Sequence, residues 1–111
     1  MKNSSSLLFV TDCDGTLLNS SKEISTRNME AIKKFVDAGG FFTIASGRPQ
    51  KGAKHILDAL PINAPVICFN GAMLYDVAKG RVLYSFPLPK GIKEAAKDIQ
   101  ERFPFVGIEA F

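Results

Sequence analysis

The chain of 111 residues carries a net charge of +3, and 46% of its residues are apolar, a composition that excludes a disordered chain. Its apolar runs are far shorter than the roughly 18 residues that cross a bilayer, so we expect no membrane partner. Its basic residues are interleaved with acidic ones and form no stripe, which argues against a nucleic-acid partner.

The first part of the chain alternates predicted strands with predicted helices. Strands are predicted over 7–11, 41–45 and 65–69, and helices over 25–38 and 48–60. The strands are continuous apolar runs, which are typical of strands buried on both faces in a parallel sheet. Ser25 is the expected N-cap of the first helix, and Gly39 is its expected left-handed C-cap. This order predicts an α/β fold with a three-stranded parallel, Rossmann-like half-core.

The pattern changes after Gly71, where an antiparallel hairpin replaces the alternation of strand and helix. The elements predicted there are strands over 73–75 and 82–86, a helix over 92–103 and a strand over 105–111. We therefore expect a domain boundary at this point, with residues 1–72 in one domain and residues 73–111 at the beginning of another.

Small polar residues and glycines follow each of the three predicted parallel strands. In chain order they are Asp12, Asp14, Gly15 and Thr16, then Ser46, Gly47 and Arg48, then Asn70 and Gly71. In an open parallel sheet, ligands bind in the crevice beyond the carboxyl ends of the strands. We therefore expect these residues to form one ligand-binding site.

Asp12 and Asp14 are two residues apart, so in an extended chain both side chains project to the same side. Two neighbouring carboxylates repel, which raises the pKa of one of them unless a cation neutralises the pair. With a hard cation such as Mg²⁺, Asp12 stays ionised as a nucleophile and Asp14 carries a proton as general acid and base. The Ser46 hydroxyl, Arg48 and the N-terminus of the second helix form an expected phosphate environment. An isolated aspartate pair is equally typical of a turn with a helix cap.

Three segments resemble motifs of the haloacid dehalogenase superfamily of phosphotransferases: FVTDCDGTLL at 9–18, ASGRP at 45–49 and FNGA at 69–72. The first matches the superfamily signature, which is Asp-x-Asp-Gly-Thr after an apolar strand. Together they are similar to the Cof-type branch (subclass IIB), in which a large α/β cap is inserted after the third strand. The resemblance covers residues 7–111 and implies that the hairpin, helix and last strand begin such a cap.

The resemblance implies a Mg²⁺-dependent phosphatase that works through an aspartyl-phosphate. Asp12 is implied to attack phosphorus and to bind Mg²⁺ with its other oxygen. Asp14 is implied to protonate the leaving alcohol, to activate water and to ligate the metal through its backbone carbonyl. The residues implied to bind phosphate or substrate are Thr16, Ser46, Gly47, Arg48, Asn70 and Gly71. The implied partner is a phosphorylated small molecule, with a sugar phosphate as the default.

The superfamily completes its site with a lysine from a third motif and an acidic pair from a fourth, and this sequence contains neither. We therefore expect an N-terminal portion of a longer phosphatase, with negligible activity as an isolated chain. The strands that would cover the first strand are also missing. Their absence predicts an exposed apolar edge over 7–11 and self-association through it.

Three alternatives stay open at this point. One is a phosphomutase of the same superfamily, which differs in what accepts the phosphoryl group from Asp12, and another is a non-catalytic fragment that keeps an ancestral site. The third is a phosphoryl-accepting receiver module, but receivers carry their acceptor aspartate two strands later, where this chain has Asn70. Cys13 and Cys68 lack metal-ligand spacing, so we expect no zinc and a reducing, cytoplasmic location.

Overall fold

The structure of the chain is a computed structural model that describes residues 7–110. Its strands are β1 (Leu8–Asp12), β2 (Phe41–Ala45), β3 (Val66–Cys68), β4 (Met73–Asp76) and β5 (Arg81–Ser85). Its helices are α1 (Thr26–Asp37), α2 (Lys54–Ala59) and α3 (Ile92–Arg102), and a short 3-10 turn lies at Phe69–Gly71. Within the described residues, no helix has the length and apolar character that a membrane crossing requires.

The five strands form one sheet in the order β1-β2-β3-β4-β5. β1 runs parallel to β2, with Leu8 opposite Phe41 and Asp12 opposite Ala45, and β2 runs parallel to β3. β4 and β5 form an antiparallel hairpin whose first strand pairs with β3. The predicted α/β fold with a parallel, Rossmann-like sheet is therefore confirmed, and the predicted hairpin is present.

The hairpin lies in the same sheet as the parallel strands. The chain returns from β3 into β4 through the 3-10 turn, in which Phe69, Asn70 and Gly71 have positive φ angles of 50°, 53° and 98°. Immediately after this turn β4 pairs antiparallel with β3, so hydrogen bonding runs across residue 72. The division of the chain into two domains, residues 1–72 and residues 73–111, stays a prediction.

α1 forms where the sequence predicts it, with both expected caps. The Ser25 hydroxyl accepts a hydrogen bond from the Asn28 backbone N–H (3.2 Å) and so satisfies one donor of the first turn. Gly39 has a φ of 90°, and its N–H donates to the Val36 carbonyl (2.9 Å). That is the left-handed ending expected of a glycine C-cap. Between the caps, Ile32 is buried in the core.

α2 is shorter than the sequence predicts. The expected helix spans 48–60, but regular helix begins only at Lys54, and turns occupy 50–53. The Ala53 N–H donates to the Pro49 carbonyl (3.1 Å) as in a helix, but the next N–H, that of Lys54, bonds to the Lys51 carbonyl (3.4 Å), so this turn does not continue as regular helix; Gly52 within it is a weak helix former. The expectation of a helix N-terminus at the phosphate site is therefore wrong.

α3 forms as predicted, but the strand predicted after it does not. Residues 103–110 are exposed, and none of the five described strands pairs with them. A strand needs a neighbouring backbone to satisfy its N–H and C=O groups, and this segment has no such neighbour among the described residues. Phe111, the last residue of the predicted strand, lies outside the described residues.

α3 lies over an open cavity and has no buried residue. The cavity has a volume of about 890 Å³, and its apolar lining includes Met73, Phe86, Ile92 and Ile99. Residues 86–91 connect the hairpin to α3 without helix or strand.

The core joins the middle strand to both N-terminal helices. β2 is buried on both faces, since Phe42, Thr43 and Ile44 are all inaccessible to solvent. This matches the prediction of a strand covered on both sides. The other buried apolar residues are Cys13, Leu17, Leu18, Ile32, Ala53, Ile56, Leu57, Leu60, Val66 and Cys68.

β1 forms one edge of the described sheet, and its apolar side chains are exposed. Leu8 is 58% exposed, and Phe9 and Val10 are exposed as well. The exposed apolar edge predicted from the sequence is therefore present.

We predict that the chain self-associates through this edge, because unpaired backbone groups beside apolar side chains template pairing with another strand. Leu8→Lys is expected to weaken the association roughly ten-fold, since it places a charge on the edge. Phe105→Lys is the matched control, because Phe105 is exposed and lies outside every described strand. Sedimentation velocity over a range of concentrations measures the association. A native chain that stays monomeric at high concentration would contradict the prediction.

Candidate active site

The carboxyl ends of β1, β2 and β3 meet at one edge of the sheet. Asp12, the last residue of β1, lies opposite Ala45, and Ser46 follows directly after it. The Ser46 N–H donates to the Ile67 carbonyl of β3 (2.9 Å), and the Asn70 N–H donates to the Ser46 carbonyl (3.1 Å). Backbone pairing thus brings Asp12, Ser46 and Asn70 to neighbouring strand ends, as the parallel order predicts.

A tight turn follows Asp12 and leaves the Asp14 side chain exposed. The N–H groups of residues 16–18 all donate to the Cys13 carbonyl, at 3.4, 3.1 and 2.9 Å. Gly15 has a φ of 74°, a conformation that glycine adopts without steric cost. The two leucines of the turn are buried, so the turn is anchored in the core while its carboxylate stays in solvent.

A second turn places Lys22 beside Asp14. Asn19 organises this turn, because its side-chain oxygen accepts hydrogen bonds from the N–H groups of Ser21 and Glu23, both at 2.9 Å. The Asn19 carbonyl also accepts a hydrogen bond from the Lys22 N–H (2.9 Å), and Lys22 has a φ of 62°. An asparagine side chain bonded to the backbone two residues on is a typical Asx turn.

Two cations hold the Asp14 carboxylate. Its Oδ1 accepts hydrogen bonds from Lys22 Nζ (2.9 Å) and Arg48 Nη2 (2.8 Å), and its Oδ2 accepts one from Arg48 Nε (3.2 Å). The hydrogen bonds from Lys22 and Arg48 hold the pKa of Asp14 below its ordinary value. The expectation that Asp14 carries a proton therefore does not hold in this structure, where a lysine and an arginine neutralise an ionised Asp14.

Ser46 is almost fully buried, and its hydroxyl accepts a hydrogen bond from the Arg48 backbone N–H (3.1 Å). Burial raises the pKa of the neighbouring Cys13 thiol, and the charges of Asp12 and Asp14 raise that pKa further. A hydrogen bond to Ser46 lowers the pKa of Cys13, but its effect is smaller than that of burial and the two charges. Cys13 is thus a neutral, buried thiol, and Ser46 supplies the hydroxyl at this strand end.

Asn70 and Gly71 turn the chain out of β3 in a left-handed conformation, which asparagine and glycine tolerate better than other residues. A Cβ at Gly47 would lie 3.1 Å from Asn70 Oδ1, so the absence of a side chain there lets the two strand ends approach. The Phe69 N–H also donates to the Arg48 carbonyl (3.3 Å). The backbone that carries Arg48 is therefore tied to the end of β3.

The structure brings most of the predicted site residues together. Those joined by direct contacts are Asp14, Ser46, Gly47, Arg48 and Asn70. Within residues 7–110, no hydrogen bond or ion pair engages the side chains of Asp12 and Thr16. Asp12 thus presents an exposed carboxylate with no protein partner among the described residues.

Asp12 and Asp14 are the residues that could hold a metal ion. Mg²⁺ prefers carboxylate oxygens and is commonly bound by one or two carboxylates, with water and phosphate completing its shell. The exposed carboxylate of Asp12 fits this requirement. The Asp14 carboxylate is held by Lys22 and Arg48, so Asp14 would contribute its backbone carbonyl. No cluster of three or more His, Cys, Asp or Glu side chains suited to a metal occurs in the part of the chain that the structure describes.

Lys22 is a site residue that the sequence does not predict. It lies in a polar stretch where Asn19 and the following serines indicate a tight turn. The spacing of residues in this stretch does not indicate that the Lys22 side chain contacts Asp14, eight residues earlier in the chain.

Known proteins match both the sequence and the fold. A family model described as haloacid dehalogenase-like hydrolase matches residues 9–109. The 5-amino-6-(5-phospho-D-ribitylamino)uracil phosphatase YwtE of Bacillus subtilis (strain 168) is 49% identical over 65 residues, which are 59% of this chain and 22% of that protein. The pyridoxal phosphate phosphatase YbhA of Escherichia coli (strain K12) is 36% identical over 78 residues, which are 70% of this chain and 29% of that protein.

A solved structure gives the same result. The crystal structure of a haloacid dehalogenase-like hydrolase from Bacteroides thetaiotaomicron matches with a TM-score of 0.77 and 30% identity, over 86% of this chain and 37% of that one. The chain thus spans well under half the length of each of these relatives. The resemblance indicated by the three motifs is confirmed. The chain belongs to the haloacid dehalogenase-like hydrolase family.

Proposed function

We propose that the chain carries the nucleophile, the general acid–base and part of the phosphate site of a Mg²⁺-dependent phosphatase that acts on phosphate monoesters. The observation that carries this proposal is the convergence of Asp12, Asp14 and the Ser46 hydroxyl at one edge of the sheet. The exposed Asp12 carboxylate has no competing partner within residues 7–110, which suits a nucleophile. The two relatives named as phosphatases support the same activity.

In the proposed reaction, an oxygen of Asp12 bonds to the phosphorus of the substrate while the bond from phosphorus to the leaving alcohol breaks. Asp14 takes up a proton from solvent and gives it to the leaving oxygen. It then takes a proton from the water that attacks the aspartyl-phosphate, so inorganic phosphate is released and Asp12 is restored. The Ser46 hydroxyl donates a hydrogen bond to the transferring group. Asp14 must leave Lys22 and Arg48 to do this, because they keep its pKa low.

Asp12 and Asp14 are the residues that would hold Mg²⁺ in this proposal. When bound, the ion neutralises the repulsion between the carboxylate nucleophile and the phosphate dianion. Asp12 would bind the ion with one oxygen of its exposed carboxylate, and Asp14 with its backbone carbonyl.

The proposed substrate is a phosphorylated small molecule, with a sugar phosphate as the default. The two relatives are named for a phosphorylated ribitylaminouracil and for pyridoxal phosphate. These names support a small organic phosphate and differ in the organic part. Interleaved charges support the absence of a nucleic-acid partner.

We also propose a cytoplasmic location. Cys13 and Cys68 are both free and buried, and burial raises the pKa of each thiol. Reduced cysteines of this kind are typical of a reducing compartment.

Beryllofluoride, which mimics a phosphoryl group on an aspartate, tests the proposed nucleophile. We expect a bound fluorine signal in 19F NMR of the chain that requires Mg²⁺ and disappears in Asp12→Asn. Asp58→Asn is the matched control, because it removes an exposed carboxylate on α2. A signal that survives in Asp12→Asn, or that forms in no variant at any Mg²⁺ concentration, would overturn the proposal.

A further inference from the structure

Lys22 and Arg48 converge on one small anion. The Asp14 carboxylate receives three hydrogen bonds from these two side chains, at 2.9, 2.8 and 3.2 Å. Arg48 binds both carboxylate oxygens through Nε and Nη2. The guanidinium fork matches a phosphate group in the same two-point manner as it matches a carboxylate. The donors that hold Asp14 are therefore of the kind that hold phosphate.

The backbones of both cations are held in place independently of Asp14. The Arg48 N–H donates to the Ser46 hydroxyl (3.1 Å), and the Arg48 carbonyl accepts from the Phe69 N–H (3.3 Å). Lys22 is held in its left-handed turn by Asn19. Removal of the Asp14 carboxylate would therefore leave both backbones in place and free both side-chain donors for another anion.

The ion pairs that hold Asp14 lie at the surface. The Asp14 side chain is 43% exposed, Lys22 is 60% exposed and Arg48 is 31% exposed, and ion pairs this exposed to water are weak. A phosphate dianion carries more charge than a carboxylate, so it competes with Asp14 for the same two cations.

We propose that Lys22 and Arg48 form a phosphate-binding site that the Asp14 carboxylate occupies until a phosphate group of the substrate displaces it. Lys22 is thereby a substrate-binding residue. The displacement also frees Asp14 from both cations at the moment when substrate is present. The inference rests on the proposed function, because it takes the displacing anion to be a substrate's phosphate.

Binding of inorganic phosphate to the 111-residue chain tests this inference without metal. Phosphate is titrated at low ionic strength, and binding is followed by the backbone amide shifts of residues 46–48. Asp14→Asn is expected to tighten binding at least five-fold more than Asp12→Asn, although both variants remove one negative charge from the same strand end. Equal effects of the two variants would overturn the inference, because they would reflect net charge alone.

A second pair of variants tests Lys22 directly. In the Asp14→Asn background, Lys22→Gln is expected to weaken phosphate binding at least five-fold. Lys54→Gln is expected to leave it unchanged, because Lys54 pairs with Asp58 on α2. Equal losses in both variants, or no loss in either, would overturn the inference. Dispersed amide spectra confirm that each variant is folded.

The two experiments separate this inference from the proposed function. A beryllofluoride adduct on Asp12 together with equal effects of Asp14→Asn and Asp12→Asn would overturn only the shared phosphate site. The expected order of phosphate affinities without an adduct would support the phosphate site and overturn only the assignment of Asp12.

Discussion

Replacing Phe42 by alanine is expected to lower the free energy of unfolding by about 3–5 kcal/mol. Phe42 is the largest of the fully buried side chains described, with 0% exposure, and it lies in the middle of the core on β2. Its ring centroid lies 5.8 Å from that of Phe9 on the neighbouring strand. Truncation removes this contact and leaves a cavity that the surrounding strands do not close.

A loss of this size is a large share of the stability of a small domain, which is about 5–15 kcal/mol in total. Phe105→Ala is the matched control, because Phe105 is 86% exposed and the same truncation there is expected to change stability by no more than about 0.5 kcal/mol. Urea unfolding followed by circular dichroism measures both variants. Similar midpoints for the two would contradict the placement of Phe42 in the core.

The isolated chain is expected to hydrolyse p-nitrophenyl phosphate no faster than its Asp12→Asn variant, with or without Mg²⁺. Phosphoryl transfer depends on positive charge around the transferring group. In the described residues the cations that pair with a site carboxylate are Lys22 and Arg48, and both are bound to Asp14. The lysine and acidic pair with which the superfamily completes its site do not occur in the sequence. Loss of one such stabilising group costs about 10²–10³ in rate, so the loss of several brings turnover to the background.

A steady-state assay with a continuous colour readout measures this turnover. Activity that requires Mg²⁺ and disappears in Asp12→Asn would contradict the prediction. Activity that is equal in the native chain and in Asp12→Asn would come from a contaminating phosphatase and agrees with the expected absence of turnover by the chain.

The sequence predicts the parallel part of the fold well, because its signals there are local. Continuous apolar runs mark β1, β2 and β3, and Ser25 and Gly39 mark the ends of α1. The two failures are the predicted start of α2 and the strand predicted after α3. Both segments follow the sequence pattern of a helix or a strand without forming it. The stretch around Pro49 and Gly52 follows helical spacing but forms only turns before Lys54, and the apolar residues of 105–110 have no described strand to pair with.

The site is predicted less completely than the fold. The motifs identify which residues belong to the site, but they do not indicate which of their side chains contact one another. The strand-end positions of Asp12, Ser46 and Asn70 follow from the parallel order of the strands. The ion pair between Asp14 and Arg48 joins residues 34 positions apart. The contact between Lys22 and Asp14 depends on a turn that the Asn19 side chain stabilises. Contacts of this kind depend on side-chain placement, which spacing along a chain does not specify.

The pairing of the hairpin with β3 fixes the position of the hairpin relative to the strand ends. Since β4 and β5 are hydrogen-bonded into the sheet, they move with the strand ends that carry the active site. After Phe86, whose N–H still donates to the Ala72 carbonyl (2.7 Å), residues 87–91 form neither helix nor strand, and Gly91, with a φ of 90°, precedes α3. α3 has no buried residue, so the free energy that holds it against the sheet is small, and its apolar side chains line one wall of the 890 Å³ cavity.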